Sequence, residues 1–371
     1  MTSVRRWLVV LTGIALLAAL PGMVAALPAP VPHVAPSTLL QRIQGSAQVA
    51  FSGYAESDGG LALPVTTQFD NLPDLFGGHR QLRVWWRSDV DWRIDSLGYT
   101  GETDTHTTDT GSWRWDYEQS TATFTQYTGT PRVRLPTDAD LLPPQLAQRL
   151  LSEATAAEAS SLASRRVAGV AAAGLRIRPN STVSTIDHID VWADPRTGLP
   201  LRVSVSGKGG GSPALTSQFL DVKLSRPSRA ATEFRVPAGA TVQAIDGPDV
   251  ATTIDRIGGG LPPARLAGID RNPQLPVLGS VGVYGRGVTE FIAVPLPWRL
   301  AYSLHNELDP KDSFGGPGSD REAAVTLSAG PLNLLLSSFD NPAGPWLLVG
   351  TVTQQTLSQA IAELTGSAGP R

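Results

Sequence analysis

The sequence predicts a mainly β protein, in which antiparallel sheet is interrupted by one amphipathic helix and followed by a smaller α+β unit. Three observations predict it. Between Leu82 and Tyr127 large apolar residues alternate with Arg, Asp or Thr, the period of a strand with one dry and one wet face. The 37 Gly and 30 Pro, with only 17% charged residues, favour a loop-rich β protein over a helical bundle. Leu146, Ala147, Leu150, Leu151 and Ala154 recur at helical spacing between two blocks of such strands.

The chain opens on a targeting segment. Arg5 and Arg6 precede the apolar run Trp7 to Leu20, Pro21-Gly22 breaks it, and Val24-Ala25-Ala26 supplies the small residues of a cleavage site. Residues 1–26 are therefore a signal peptide; an uncleaved N-terminal anchor is the other reading, since the apolar stretch nears the ~20 residues that span a bilayer. Residues 27–36, with Pro at nearly every second position, form an extended tether. Ser37 is placed to cap a short helix ending near Gly45, with Leu39, Leu40 and Ile43 on one side.

Ala47 to Tyr54 reads as a first strand and residues 59–78 as a long loop. The meander then carries four strands: Leu82 to Arg87, Trp92 to Asp95, Ser112 to Tyr117 and Thr121 to Tyr127. Asp140 to Pro144 starts a helix with prolines in its first turn, running to about Ala159. Alternation returns in Ala173 to Arg178, Ile189 to Ala193, Leu199 to Val205 and Leu215 to Val222, with Asp194-Pro195-Arg196-Thr197-Gly198 as a hairpin turn. Past Ala238 to Pro248 a second unit starts. Ser280 to Val294 and Glu322 to Ser338 read as strand pairs, 309–319 as a loop, Trp346 to Val352 as a buried strand, and Thr353 as the cap of a terminal helix.

At 371 residues the chain is long enough for two cores. Without cysteine it has no disulfide, thiol nucleophile, thiolate metal site or lipid-modified N-terminal Cys. Net charge is −3, and removal of Arg5 and Arg6 with the signal leaves 28 basic against 33 acidic residues, about −5. That balance argues against nucleic acid as a partner. Lys occurs only at 208, 223 and 311, an Arg bias that goes with a GC-rich bacterial genome.

No enzyme signature emerges. The five histidines, at 33, 79, 106, 188 and 305, show no ligand spacing, though His106 and His188 lie among strand residues. Gly207 to Ser212 lacks the spacing of a phosphate loop and reads as a hairpin loop; Gly282 to Gly287 reads as a bulge or tight turn. A carboxylate pair for glycoside hydrolysis is unsupported by any spacing. No catalytic residue, metal ligand or cofactor is assigned.

The tryptophans are the stronger clue, and two readings stay open. Trp86, Trp92, Ile94, Trp113, Trp115 and Phe124, facing Leu146 and Leu150, close into a packed core; or, because one helix of ~10 Å diameter cannot fill a wide curved sheet, they line an apolar cavity suited to a lipid chain.

The stretches Trp92-Arg93-Ile94-Asp95, Trp113-Arg114-Trp115-Asp116, Leu142 to Ala147, Val167-Ala168-Gly169 and Asp194 to Val203 resemble, in that order, the actinobacterial branch of the LolA-like superfamily. The similarity is greater to the N-terminal domain of MucB/RseB, periplasmic regulators of an envelope-stress anti-sigma factor, and spans roughly Pro36 to Val242. The resemblance implies a strongly curved, half-open antiparallel β-barrel with helices on its concave face and an apolar cavity for acyl chains, over residues 37–245. It implies a smaller C-terminal domain over residues 248–371. On this reading the cavity wall comprises Val84 and the residues of both readings above, with Leu175, Ile177, Val191, Leu201 and Val203 from the later strands. The expected function is a non-enzymatic, exported envelope protein, membrane-associated at least transiently, that binds lipid or lipoprotein acyl chains. The alternative is an envelope-stress regulator that clasps the extracytoplasmic part of an anti-sigma factor or another membrane protein; a hydrolase is the remote one.

Overall fold

The computed structural model describes residues 31–32, 34–63, 71–98, 101–127, 136–246, 261–275, 280–308, 324–339, 341 and 344–366. The signal segment, residues 27–30 and 33 of the tether and the 309–319 loop lie outside the described residues.

Twelve strands form one large sheet. In chain order they are β1 (Phe51–Gly59), β2 (His79–Ser88), β3 (Asp91–Leu97), β4 (Glu102–Thr107), β5 (Gly111–Asp116), β6 (Thr121–Gln126), β7 (Ala159–Val167), β8 (Val170–Ile177), β9 (Ile186–Ala193), β10 (Pro200–Gly207), β11 (Leu215–Lys223) and β12 (Thr241–Asp246). Their spatial order is 12-6-5-4-3-2-1-11-10-9-8-7, so both halves meet where β1 pairs with β11. All neighbours are antiparallel except β12, which runs parallel to β6. The sheet does not close: β7 and β12 are its free edges. This is the mainly β, half-open architecture that the resemblance implied.

Two helices lie on the concave face, α1 (Pro36–Gln44) and, after the short α2 (Asn71–Gly77), α3 (Pro143–Leu151). Both α1 and α3 begin with proline in the first turn, where its missing N–H costs nothing. The cap of α1 is Ala35, and Ser37 lies inside the helix, so the expected cap is displaced by Pro36. Leu39, Leu40 and Ile43 of α1 and Leu146, Ala147 and Leu151 of α3 pack on Leu175, Ile177, Val191 and Val203. The helices are joined edge to edge: Gln44 Nε2 donates to the carbonyls of Leu151 and Ala154, at 2.7 and 3.1 Å. The helix expected to reach Ala159 stops at Leu151, because a capping box of Thr155 and Glu158 starts a new turn that leads into β7.

The expected hairpin turn joins β9 to β10. Asp194 Oδ2 accepts from the backbone N and Oγ1 of Thr197, at 3.2 and 2.7 Å. Gly198 closes it at φ +75°, where a Cβ would stand 2.3 Å from the Arg42 carbonyl oxygen of α1. Glycine is required there both by backbone angle and by space.

After a two-stranded ribbon of β13 (Arg265–Leu266) and β14 (Ile269–Asp270) comes a five-stranded antiparallel sheet. Its strands are β15 (Gly282–Arg286), β16 (Thr289–Pro295), β17 (Val325–Ala329), β18 (Leu332–Leu336) and β19 (Trp346–Gly350), ordered 15-16-19-18-17. Alternation sends Leu348 to one face, against α5, and Leu347 to the other, against α4. Here α4 is Trp298–Leu308 and α5 is Gln354–Gly366, capped by Thr353 Oγ1 on the Thr356 N–H. Helices α2 and α4 and strands β4, β7, β12, β13 and β14 are not expected from the sequence.

Among the described residues the two sheets touch at several places, two of them through backbone or carboxylate hydrogen bonds. Thr185 N donates to Thr351 O at 2.9 Å, and Thr353 N to Val183 O at 3.0 Å. Just past α3, the Glu153 carboxylate accepts from Asn272 Nδ2 and from the Gly287 N–H, both at 3.0 Å. Burial, then the charge of Glu153, pushes the Glu290 carboxyl up to about 7. A carboxyl raised in the folded state favours folding most below its unfolded value, near 4.5, and loses that contribution as pH rises towards 7. Denaturant midpoints of the wild type should therefore fall between pH 4.5 and 7, and Glu290→Gln should flatten that decline; an unchanged profile in the variant would contradict the burial of this carboxyl.

Candidate functional site

Register decides what the meander presents to each side. Trp86 of β2 stands opposite Trp92 of β3, which stands opposite Thr107 of β4, then Ser112 of β5 and Thr125 of β6. The parallel rows are Val84, Ile94, Thr105, Arg114, Thr123 and Leu82, Ser96, Thr103, Asp116, Thr121. Side chains in such rows share a face. That face is concave, because Leu82, Val84, Trp86 and Ile94 pack on Ala139, Leu141 and Leu142, the segment that leads into α3.

Between this face and the 136–152 segment lies a cleft of about 1160 Å³, somewhat larger than the roughly 300–1,000 Å³ of ordinary ligand sites. Its apolar end is Trp86, Trp92, Ile94 and Leu75. Phe51, Trp86 and Trp92 form a stack, with centroids 6.1 and 5.5 Å apart and planes within 7° of parallel. Trp92 ends the stack half-buried, so part of its ring borders the cleft. The floor is polar: the hydroxyls of Thr103, Thr105, Thr107, Ser112 and Thr125, with Arg114 among them and Asp116 at the strand end. The roof is Thr137 and Asp138 with Gln145, Gln148 and Arg149 of α3. A capping box holds the roof's entry, with Thr137 N donating to Asp140 Oδ2 at 2.8 Å. Burial raises the Asp138 carboxyl, while the charges of Arg80 and Arg114 and a hydrogen bond with Ser96 pull it back. The Arg149 guanidinium stands 3.0 Å from Asp140.

Of the expected wall residues, the structure brings Trp86, Trp92 and Ile94 to the cleft. It places Trp113, Trp115 and Phe124 on the opposite face, in rows with Trp85, Arg93 and His106 or with Arg83, Asp95 and Asp104. There the chain following β11 crosses back over Trp113: Phe234 meets it at 5.3 Å and His106 at 5.0 Å, both tilted, while Tyr117 meets Trp115 edge-on at 5.7 Å. Leu146, Leu150, Leu175, Ile177, Val191 and Val203 belong to the packed core under α1 and α3. Val84 and Leu201 are fully buried in the neighbouring cluster. The expected apolar cavity is thus corrected to a cleft with one apolar end and a polar floor. The sequence signal for that floor is threonine at every second position of β4 and β6.

The convex face holds the strongest electrostatics. Arg93 bonds Asp95 at 2.5 Å and Asp104 at 2.9 Å, Tyr117 donates to Asp104 at 3.1 Å, and Arg83 bonds Glu102. Burial, then the charge of Asp95, pushes Asp104 up to about 7. Ligand atoms of Asp95, Glu102 and Asp104 lie within 4.8 Å of one another. With two guanidiniums already on these carboxylates, the group suits an ion-pair network rather than a cation. His106 Nδ1 donates to Thr232 O at 2.9 Å and burial lowers its pKa, so the ring stays neutral. His188 bonds Asp187 at 2.5 Å. Five strands stand between the two histidines in the sheet.

No family model and no curated protein matches the chain. Among solved structures it is similar to a chain in the complex structure of Pseudomonas aeruginosa MucA/MucB, with 16% identity, 88% of this chain and 97% of that one covered, and a TM-score of 0.48. It is also similar to MucB in complex with MucA(peri), with the same identity and coverage and a TM-score of 0.46. For a LolA superfamily protein from Nitrosomonas europaea the values are 10% identity, 54% and 99% coverage, and 0.23. Likenesses this distant do not bear on function, which rests on the geometry of this chain.

Trp115, 7% exposed on the convex side, should cost ~3–5 kcal/mol on replacement by Ala. Trp92→Ala should cost about 2 kcal/mol or less, because the end of the stack has fewer atoms to lose. Thermal melts of both variants check this, and equal losses would make Trp92 part of the core instead of a wall.

Proposed function

We propose that this chain is an exported, non-catalytic binding protein of the cell envelope whose concave cleft holds the acyl chain of a lipid or lipoprotein. The observation that carries the reading is the cleft itself. Among the described residues the sheet is filled by α1 and α3 over β7 to β11 but left open over β3 to β6, beside a tryptophan stack whose last ring is half-buried. An acyl chain laid against Trp92 and Ile94 removes apolar surface from water, at roughly 25 cal/mol per Å². The polar floor leaves room for the head that such a chain carries. Export follows from the segment 1–26, and no helix among the described residues is long and apolar enough to cross a membrane.

A second reading, an envelope regulator that grips a membrane protein, is favoured by a different surface. Trp298 and Tyr302, one turn apart on α4, are 57% and 46% exposed, and Trp298 stacks on Phe339 at 5.8 Å. Exposed rings on one helical face are the kind of anchor that interfaces use.

The mature protein, isolated without detergent, should carry lipid in native mass spectrometry or take up a pyrene-labelled fatty alcohol, and Trp92→Ala should reduce uptake about tenfold while remaining folded. Neither lipid nor uptake in the wild type would sink the cleft reading. In envelope cross-linking, loss of a specific adduct from full-length chain carrying Trp298→Ser and Tyr302→Ser would favour the second.

A further inference from the structure

The charges around the cleft say what kind of head its ligand carries. Among the described residues three guanidiniums line it, Arg80, Arg114 and Arg149, against five carboxyl groups, Asp89, Asp116, Glu118, Asp138 and Asp140. Arg149 is 3.0 Å from Asp140. The acids of this described lining therefore outnumber its arginines. A phosphate brought here would lose its water among an excess of carboxyl groups, which is the costly way to bury an anion. The floor around Arg114, by contrast, is mostly hydroxyls from three adjacent strands, Thr103, Thr105 and Thr107, then Ser112, then Thr125. Hydroxyls both donate and accept, so they match a head made of hydroxyl and ester groups.

Resting on the lipid-binding reading, we propose that the cleft selects lipids with an uncharged, hydroxyl-bearing head, namely acylglycerols or their glycosides, over phosphate-bearing lipids of the same chains. In this arrangement the excess of acids over arginines discriminates, and removing one acid or adding a cation shifts the lining towards the phosphate pairing that arginine makes readily.

The test offers the mature chain equal amounts of dioleoylglycerol and dioleoylphosphatidylglycerol in mixed micelles and reads the retained lipid by native mass spectrometry. The wild type should retain the neutral lipid about tenfold more. Asp138→Asn should move retention towards the phospholipid, and so should Asp116→Lys, which places a cation at the rim and leaves the roof intact should the first variant fold poorly. Retention of phosphatidylglycerol at equal or higher occupancy by the wild type, or an unmoved preference in both variants, overturns the headgroup inference and leaves the lipid reading standing. Retention of neither lipid overturns both.

Discussion

Everything on the concave side depends on one cross-strand pair, Trp86 opposite Trp92. Because side chains alternate along a strand, that pairing decides the face of every residue from β2 to β6, and a slip of one residue would exchange the two faces. Its stability has visible sources. Trp86 is stacked between Phe51 and Trp92, and Phe51 meets Phe219 edge-on at 5.5 Å across the junction of the sheet's halves. On the other face the same register brings Arg93 between Asp95 and Asp104. A slip would send two buried carboxylates inward and a row of threonines outward. Packing inside and ion pairing outside therefore specify the same register.

The cleft is then a consequence of helix size. The α3 helix has nine residues, so it is ~14 Å long, and with α1 it covers the five strands of the second half. Beyond its cleft-facing residues Gln145, Gln148 and Arg149 no further helix covers the described part of the meander, and β4 offers no apolar residue for one to pack on. Hydroxyl side chains on that floor tolerate water when the cleft is empty and lose little when a ligand arrives. Glu153, two residues past α3, is held by Asn272 and by the Gly287 N–H in the turn between β15 and β16, so the roof of the cleft is tied directly to the second sheet.

Much of the fold was legible in the sequence, and the reasons differ by element. Strands β8 to β11 alternate apolar residues with Arg, Asp or Ser, and their turns are spelled out by Asp194 to Gly198 and the glycines after Gly207. Strand β4, Glu-Thr-Asp-Thr-His-Thr, alternates one polar class with another, so its periodicity carries no hydrophobic contrast. Strand β12 is exposed along nearly its whole length, and nothing in its composition distinguishes it from loop. The site was legible only in part. Alternation shows that Trp113 and Trp115 share a face and that Trp86 and Trp92 each occupy one, but it does not say whether those are the same face. Trp85 and Trp86 are adjacent and point opposite ways, and only the pairing across three turns settles which ring faces inward. Bulk alone does not mark a cavity wall: of the rings of β5, Trp113 is covered on the outside by Phe234 and Trp115 by Tyr117.

Fluorine NMR of the protein labelled with 5-fluorotryptophan, with resonances assigned by single Trp→Phe variants, tests the central claim most directly. On addition of a neutral acyl ligand, the Trp86 and Trp92 resonances should shift while those of Trp113 and Trp115 stay in place. Shifts at Trp113 and Trp115 with Trp92 unmoved would put the ligand on the convex face and contradict the account.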